Sequence, residues 1–365
     1  MQSHRGAIAA TSGSFTILAE LLTNHQKSYY MKRRDFFEKS MIAGGLMGPA
    51  AAMSSFDPAE AFRNPPVETA TGEMFIERPA EGRPHEGKVL AVIQPHCDDI
   101  PYFAAGTVAK LLHEGYTGYL IRTTNDDAAG AGDTLGERVL NNERSNEAFA
   151  KVMGFKKVYD LGYRNHRMDE YNIQEIKGRL IFLFRLLKVD TVVSFDPWDH
   201  YEENPDHYVT ARAVEAARWM SGMGTDYPEQ LDVVKPHSVI ERYYFARGPQ
   251  VANRVVDISN FIDKKVEANM AVVAQGGGGN AGANLRKRLA AEGKKLPELG
   301  NDDRTANFNY IKNFFLDKFS ESLRGVPSDR KTGEQYGLGW AEKFRYFGRT
   351  PSGFNDYISE KSVSL

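Results

Sequence analysis

Cysteine is almost missing from this chain. Cys97 is the only one in 365 residues, so no intramolecular disulfide can form and stability has to come from a buried core. An excess of either charge is missing too. Lys and Arg total 46 against 48 Asp and Glu, a formal net charge of -2, which gives no electrostatic reason to invoke nucleic acid or an anionic membrane. No apolar run after residue 90 is long enough to span a bilayer. The loop after the first core strand, beyond Gln94, has no Gly-x-Gly-x-x-Gly phosphate cradle. What remains is a chain 41% hydrophobic and 26% charged, the balance of a soluble globular protein with enough length for a large core in one or two domains.

The amino-terminal part does not read as fold. From Met31 the sequence runs MKRRDFFEKSMIAGGLMGPAAAMSS. A basic start, the Arg33-Arg34 pair, a short weakly apolar run and a small-residue region follow in that order and resemble a twin-arginine export signal. Met41 to Met53 is too short and too rich in Gly and Ala for a membrane anchor. Residues 1–58 are therefore read as an over-called start plus an export signal, which places the mature protein in the periplasm or outside the cell. The Pro-, Glu- and Gly-rich stretch 59–87 reads as a linker or surface arm.

Regular patterning begins at Lys88. KVLAVIQ, TGYLIRTT, KKVYDLG, VDTVVSFDP and SVIERYYFA read as strands, and helical spacing separates them at Ala104–Glu114, Arg138–Met153, Ile173–Leu187 and Pro205–Met220. That alternation predicts an α/β fold, a three-layer Rossmann-like sandwich with a mostly parallel sheet. Asp257–Ala274 and Asn301–Leu323 look helical, so 88–365 is read as one domain with a helical carboxyl-terminal extension from about residue 258. GGGGNAGAN, from Gly276, reads as a surface loop, with a lid as the alternative.

In parallel sheets, ligands bind beyond the carboxyl ends of the strands, and the polar clusters fall there. AVIQPHCDDIPYFAAGT runs from a buried strand into His96, Asp98 and Asp99. An imidazole and two carboxylates at such a place are costly unless something binds them, and a divalent metal is an economical partner. His96 and Asp99 are three apart on a turn, so both can face one ion. His207, at a helix start, completes the three ligands of a catalytic zinc site with one open position. Asp98 is left as a carboxylate able to take a proton from water. Each residue also has a plain reading: a packing histidine, or Asp residues as turn formers and caps. Tyr102, Phe103, Trp198 and Tyr201 flank the site as a platform for a sugar ring or as ordinary packing.

The strand, PHCDD, AAGT and the helix after them resemble the first motif of the PIG-L-type zinc-dependent sugar N-deacetylases, usually written His-Pro-Asp-Asp-Glu. NPDHYVTARAV resembles the family's His-Pro-Asp-His segment, ERSNEAFAKVMGF its Arg-x-x-Glu helix, and LGYRNHRM its Leu-Gly-x-Arg-Asp segment. AEKFR, from Ala341, is a weaker echo of a carboxyl-terminal motif. The resemblance covers Lys88 to about Ala246. It implies zinc on His96, Asp99 and His207, Asp98 as general base, and Arg144 and Asn165 as substrate contacts. The implied activity is release of acetyl from an N-acetylated amino sugar or glycoconjugate, with no nucleic-acid partner and no stable membrane insertion.

Four departures matter. Cys97 replaces the usual Pro, Ile100 the usual Glu, Asn165 the Asp that often touches substrate, and Asn204 the usual catalytic His. Asn can donate a neutral hydrogen bond to an oxyanion but delivers no proton. Asn204-Pro205 also fits a helix N-cap followed by Pro at the first helical position. His200 or His166 is the candidate for the missing imidazole. Asp206 reads either as a first-turn acid favoured by the helix dipole or as a carboxylate that fixes a histidine tautomer. Two other functional classes stay open: a metal- and sugar-binding protein without turnover, and a nucleotide-using Rossmann enzyme built on AAGAGDTLGE.

Overall fold

The computed structural model describes residues 74–275, 277–348 and 353–363. The export-type segment, the start before it and the first part of the linker lie outside the described residues.

The strands are β1 (Phe75–Glu77), β2 (Val89–Gln94), β3 (Thr117–Thr124), β4 (Lys157–Tyr163), β5 (Thr191–Phe195), β6 (Glu241–Phe245), β7 (Arg254–Asp257) and β8 (Ala341–Phe347). They form one open sheet in the order β1-β7-β8-β6-β5-β2-β3-β4. All neighbouring pairs are parallel except those of β8, which runs antiparallel to both β6 and β7. β2 sits inside the sheet, and its side chains alternate between two cores, Leu90 and Val92 in one, Ala91 and Ile93 in the other. That is the period-two rule of a strand covered on both faces.

Helices α1 (Asp99–Phe103), α2 (Ala105–His113) and α3 (Leu135–Met153) follow β2 and β3 in the chain, and α4 (Ile173–Leu187) and α5 (Pro205–Met220) follow β4 and β5. α2 and α3 bring Val108, Leu111, Phe149 and Met153 to the first core. α4 and α5 bring Leu180, Phe184, Ala213 and Val214 to the second. α3 begins three residues before the sequence pattern predicts, because Thr134 and Glu137 close a capping box. Gly154 at φ 82° ends it. α5 opens as expected, with the Asn204 side chain accepting from Asp206 N and Pro205 at the first helical position.

Two stretches depart from expectation. Within the predicted linker, β1 pairs with β7 and sets the partly buried Glu77 against Lys110 (2.7 Å) and Arg254 (2.6 Å). The carboxyl-terminal extension is helical only in part. It holds α6 (Ile262–Ala271), α7 (Ala281–Ala291), α8 (Asp303–Tyr310), a π-helical stretch Ile311–Lys318, α9 (Ser320–Arg324) and α10 (Asp329–Gln335), and then returns β8 to the sheet. α7 packs closely on α8 through Gly282, where a Cβ would collide with the Ala306 carbonyl. No helix among the described residues is long and apolar enough to cross a membrane.

Candidate metal centre

β2 and its parallel neighbour β5 end side by side, and the loops beyond them carry the site. The first loop is fixed by its own polar contacts. His96 N donates to Asp99 Oδ2 (2.7 Å), Cys97 N to Asp126 Oδ2 (3.3 Å) and Ile100 N to Gln94 Oε1 (3.1 Å). Asp126 is itself buried in the left-handed region at φ 57° and is held by Arg122 Nη1 at 3.0 Å. His207 comes from the first turn of α5 and stacks on Phe195 from β5, with ring centroids 4.1 Å apart.

These elements bring the three predicted ligands together. His96 Nδ1 lies 3.1 Å from His207 Nε2 and 3.4 Å from Asp99 Oδ2, and His207 Nε2 lies 3.3 Å from Asp99 Oδ1. Nitrogen and oxygen ligands about 2.0–2.1 Å from one tetrahedral ion stand about 3.3 Å apart, so the triangle has the dimensions of a metal face. All three residues are buried.

The outer nitrogens of both rings meet carboxylates. His96 Nε2 is 2.9 Å from Asp206 Oδ2, and His207 Nδ1 is 2.9 Å from Glu202 Oε2. The Asp206 contact is a hydrogen bond, which keeps the His96 ring proton on that side and leaves the inner nitrogen free to ligate, whereas Glu202 approaches His207 as an ion-pair partner outside hydrogen-bond geometry. Asp206 is fully buried and also accepts from His166 N (2.6 Å) and Met168 N (3.1 Å). Its position in the helix therefore serves both readings of the sequence, the dipole and the tautomer. Glu202 was not singled out by the sequence. It lies two residues before the cap, in a run of acids that carries no pattern, and only the turn of the chain directs it back to His207. Asn204 N donates to its Oε1 at 2.9 Å.

The electrostatics agree with a cation site. Burial works against charge on His96, but the Asp99 charge and the hydrogen bonds of Asp206 and Asp99 outweigh it and hold the imidazole well above its usual range. His207 is raised in the same way, burial being overcome by Asp99 and Glu202. Burial would raise Asp99, yet the two imidazoles pull it below the ordinary carboxylate range. Asp98 goes the other way. Burial and the neighbouring Asp99 charge push it up to about 7. Several carboxylates thus crowd two imidazoles, an arrangement that a divalent cation relieves.

A cleft of about 240 Å³ opens over this triangle, and Asp98, Tyr102, Phe103, Asn165, His166 and Asn204 are among the residues that line it. Asn165 is only 3% exposed, and neither its Oδ1 nor its Nδ2 has a hydrogen-bond partner among the described residues. Asn204 Oδ1 is occupied by the helix cap, which leaves its NH₂ as the donor. His166, at φ 58°, stands on the rim with its ring 6.2 Å from that of His96.

Other predicted residues are not gathered here. His200 is exposed and does not line the cleft. Two successive side-chain turns, Asp196 Oδ1 to Trp198 N and Asp199 Oδ1 to Tyr201 N, carry that loop outward, and Trp198 and Tyr201 go with it. Arg144 is exposed on α3 and donates to Asn141 Oδ1 on the same helix (3.3 Å). The buried face of α3 carries Asn142, Ser145, Asn146 and Phe149 instead. The arginines that line the cleft are Arg247 and Arg324. Cys97 is not part of the ligand triangle, and its Sγ lies 3.3 Å from Asn142 Oδ1. Gln275 Nε2 donates to the same Asn142 oxygen (2.9 Å), and Gln275 itself lines the cleft.

Residues 91–218 match the family described as PIG-L: GlcNAc-PI de-N-acetylase. The chain is 26% identical over 185 residues to the diacetylchitobiose deacetylase of Thermococcus kodakarensis, an alignment covering 50% of this chain and 67% of that protein. Among solved structures, the N,N'-diacetylchitobiose deacetylase from Pyrococcus horikoshii superposes with a TM-score of 0.53 at 22% identity, covering 74% of this chain and 89% of that one. A conserved protein from Thermus thermophilus gives a TM-score of 0.50 at 20% identity, covering 72% and 94%. At these identities the two structures establish the fold.

Proposed function

From the match of residues 91–218 to the PIG-L family, we propose that this protein is a zinc-dependent hydrolase that removes acetyl from an N-acetylated amino sugar. The observation that carries the reading is the buried triangle of His96 Nδ1, His207 Nε2 and the Asp99 carboxylate, with each ring backed by its own carboxylate. A donor set of two neutral imidazoles and one carboxylate suits zinc. Bound there, the ion supplies Lewis acidity toward an amide carbonyl and a water. The diacetylchitobiose deacetylase similarity supports the amino-sugar amide as substrate.

The remaining work falls to the chain itself. Asp98, half-buried at the cleft and raised to about 7, takes the proton as water adds to the carbonyl. The Asn204 NH₂ donates toward the developing oxyanion. His166, which lines the cleft where His200 does not, is the imidazole assigned to the leaving amine in this reading. Asn165, with both amide atoms unpartnered in a nearly dry setting, reads sugar hydroxyls or the acetamido group, since a buried amide left unpaired is costly.

Elemental analysis of protein purified without added metal, followed by an acetate-release assay on N,N'-diacetylchitobiose, tests the assignment. His207→Ala is expected to lose both metal and acetate release. Normal acetate release from that variant defeats it. Retention of metal and sugar binding without acetate from any of several N-acetylated substrates would instead favour a binding protein, the reading that the replacement of His by Asn204 supports. We also propose export through the twin-arginine route, which suits a protein that loads its metal before leaving the cytoplasm. Fractionation with amino-terminal sequencing of the mature chain tests it, and an intact cytoplasmic protein rejects it.

A further inference from the structure

The turn that carries Asp98 and Asp99 has no local means of holding its far end. α1 is a single short helix, and Ala104 both ends it and begins α2, where it offers no side-chain cap. Alanine is among the poorest residues for that position. Such a junction leaves carbonyls at the end of one helix and N–H groups at the start of the next without intrahelical partners. Ala104, Ala105 and Thr107 are fully buried, so water does not supply them.

The partners come from the carboxyl-terminal extension, beyond the segment 91–218 that matches the family. Asn269 Nδ2 on α6 donates to Pro101 O (2.7 Å), and Arg324 Nη1, at the end of α9, donates to Tyr102 O (2.6 Å). Across the junction the Glu342 carboxylate on β8 accepts from Gly106 N (3.0 Å) and Thr107 N (2.8 Å). A cation thus meets the free carbonyls and an anion the free N–H groups. The two are tied together, because Arg324 Nη2 holds Asp329 Oδ1 at 2.9 Å and Lys265 bridges Asp329 (2.8 Å) and Glu342 (2.6 Å). None of these four side chains is more than 9% exposed. A buried polar network with balanced charge rigidifies what it holds.

Arg324 also lines the metal cleft, which invites a role in binding an anionic substrate. Its own bonds argue against that. Nε donates to Ser320 Oγ (3.0 Å), Nη1 to Tyr102 O, and Nη2 to Asp329 Oδ1 and Pro327 O, and the side chain is 1% exposed. What it does touch lies one helical turn from the chemistry. Tyr102 N donates to Asp98 O at 3.0 Å, so a shift of the carbonyl end of α1 is carried about 5.4 Å along the axis to Asp98 and Asp99. Asp99 Oδ1 in turn stands 3.3 Å from His207 Nε2.

We propose that Arg324, with Asn269 beside it, is a positioning residue that keeps the Asp98–Asp99 turn in register with His207, so that the extension completes a site whose ligands all lie within 91–218. The inference rests on the metal reading above. Chelator competition on the full-length protein reads zinc affinity, urea unfolding of the metal-free protein reads stability, and acetate release from N,N'-diacetylchitobiose at saturating zinc gives kcat and KM. Arg324→Lys keeps the charge opposite Asp329 but loses the fork that also reaches Tyr102 O. It is expected to bind zinc about tenfold more weakly or worse and to lose about 10²-fold in kcat, with KM nearly unchanged. Asn269→Ala removes the neighbouring donor without touching a charge. It should shift zinc affinity the same way, and it covers the case of an Arg324→Lys protein that does not fold. Asp329→Asn weakens the ion network but leaves Arg324 on Tyr102 O, and should lower the urea midpoint while zinc affinity holds. Lower midpoints with wild-type zinc affinity in both Arg324→Lys and Asn269→Ala overturn the positioning role. So does an equal loss of zinc affinity in Asp329→Asn, since any loosening of the extension would then suffice. A raised KM with zinc affinity and kcat intact overturns it in favour of a direct substrate contact. A wild-type protein that binds no zinc removes the metal reading and this inference with it, whereas zinc binding that the variants leave unchanged removes this inference alone.

Discussion

Asp206 provides the sharpest test of how the metal face is held. Its carboxylate accepts from His96 Nε2 (2.9 Å), His166 N (2.6 Å) and Met168 N (3.1 Å) with no solvent exposure. Asp206→Asn keeps the shape but turns one oxygen into a donor. If the amide oxygen faces His96 and His166, the NH₂ is set against Met168 N–H. If the amide turns over, it is set against His96 and His166. Either way at least one buried donor loses its acceptor, a penalty of about 1–3 kcal/mol in stability. The lost charge also weakens His96 as a ligand, and removal of such a carboxylate partner typically lowers metal affinity about 10–100-fold, or about 1.4–2.8 kcal/mol. Chelator-competition titration reads the affinity, and urea unfolding of the metal-free protein reads the stability. Asp206→Ala should lose more on both counts, because no acceptor remains. Wild-type metal affinity in Asp206→Asn would refute the claim that this carboxylate sets the His96 tautomer, whatever the stability does.

Glu202→Gln should weaken metal binding by about tenfold through His207, and by less than the loss of the ligand itself in His207→Ala; unchanged affinity would remove Glu202 from the site. Asp98→Asn should keep the metal while acetate release falls by about 10²–10⁴-fold, a separation that a metal assay on the same sample checks. Glu77 is partly buried, which raises its pKa, but Lys110 and Arg254 more than offset this and hold it below the usual carboxylate value. A depressed pKa means that its contribution to stability is present above the unfolded value near 4.5 and is lost as pH falls through the folded one. Glu77→Gln should therefore be less stable than wild type at neutral pH, with the gap narrowing in acid; a gap that stays constant from neutral pH down through the carboxylate range would contradict the ion cluster.

The strand-helix alternation from Lys88 to Ala246 was legible because each buried strand there is a short apolar run and each helix shows a 3.6-residue face or a cap. β7 and β8 were not. β7 is a four-residue strand, and β8, AEKFRYF, carries charges at Glu342, Lys343 and Arg345. Glu342 reads as a surface charge in the sequence but is buried, held by Lys265 and by the backbone N–H groups of Gly106 and Thr107. Arg144 was drawn into the site by motif, while the roll of α3 turned it to solvent. His200 and His166 looked equivalent as strand-end histidines, and backbone turns separated them.

By itself the sequence determined the mostly parallel α/β architecture and singled out the three side chains that the fold brings together, because hydrophobic periodicity is local and because His96, Asp99 and His207 sit at fixed offsets from a strand end and a helix cap. The tertiary structure alone decided that Asp206 and Glu202 back the two imidazoles, that Arg247 and Arg324 rather than Arg144 line the cleft, and that Arg324 and Glu342 brace the junction of α1 and α2. Those outcomes depend on which way loops turn and how a distant segment packs, and such long-range contacts leave no period or spacing in the chain to be read.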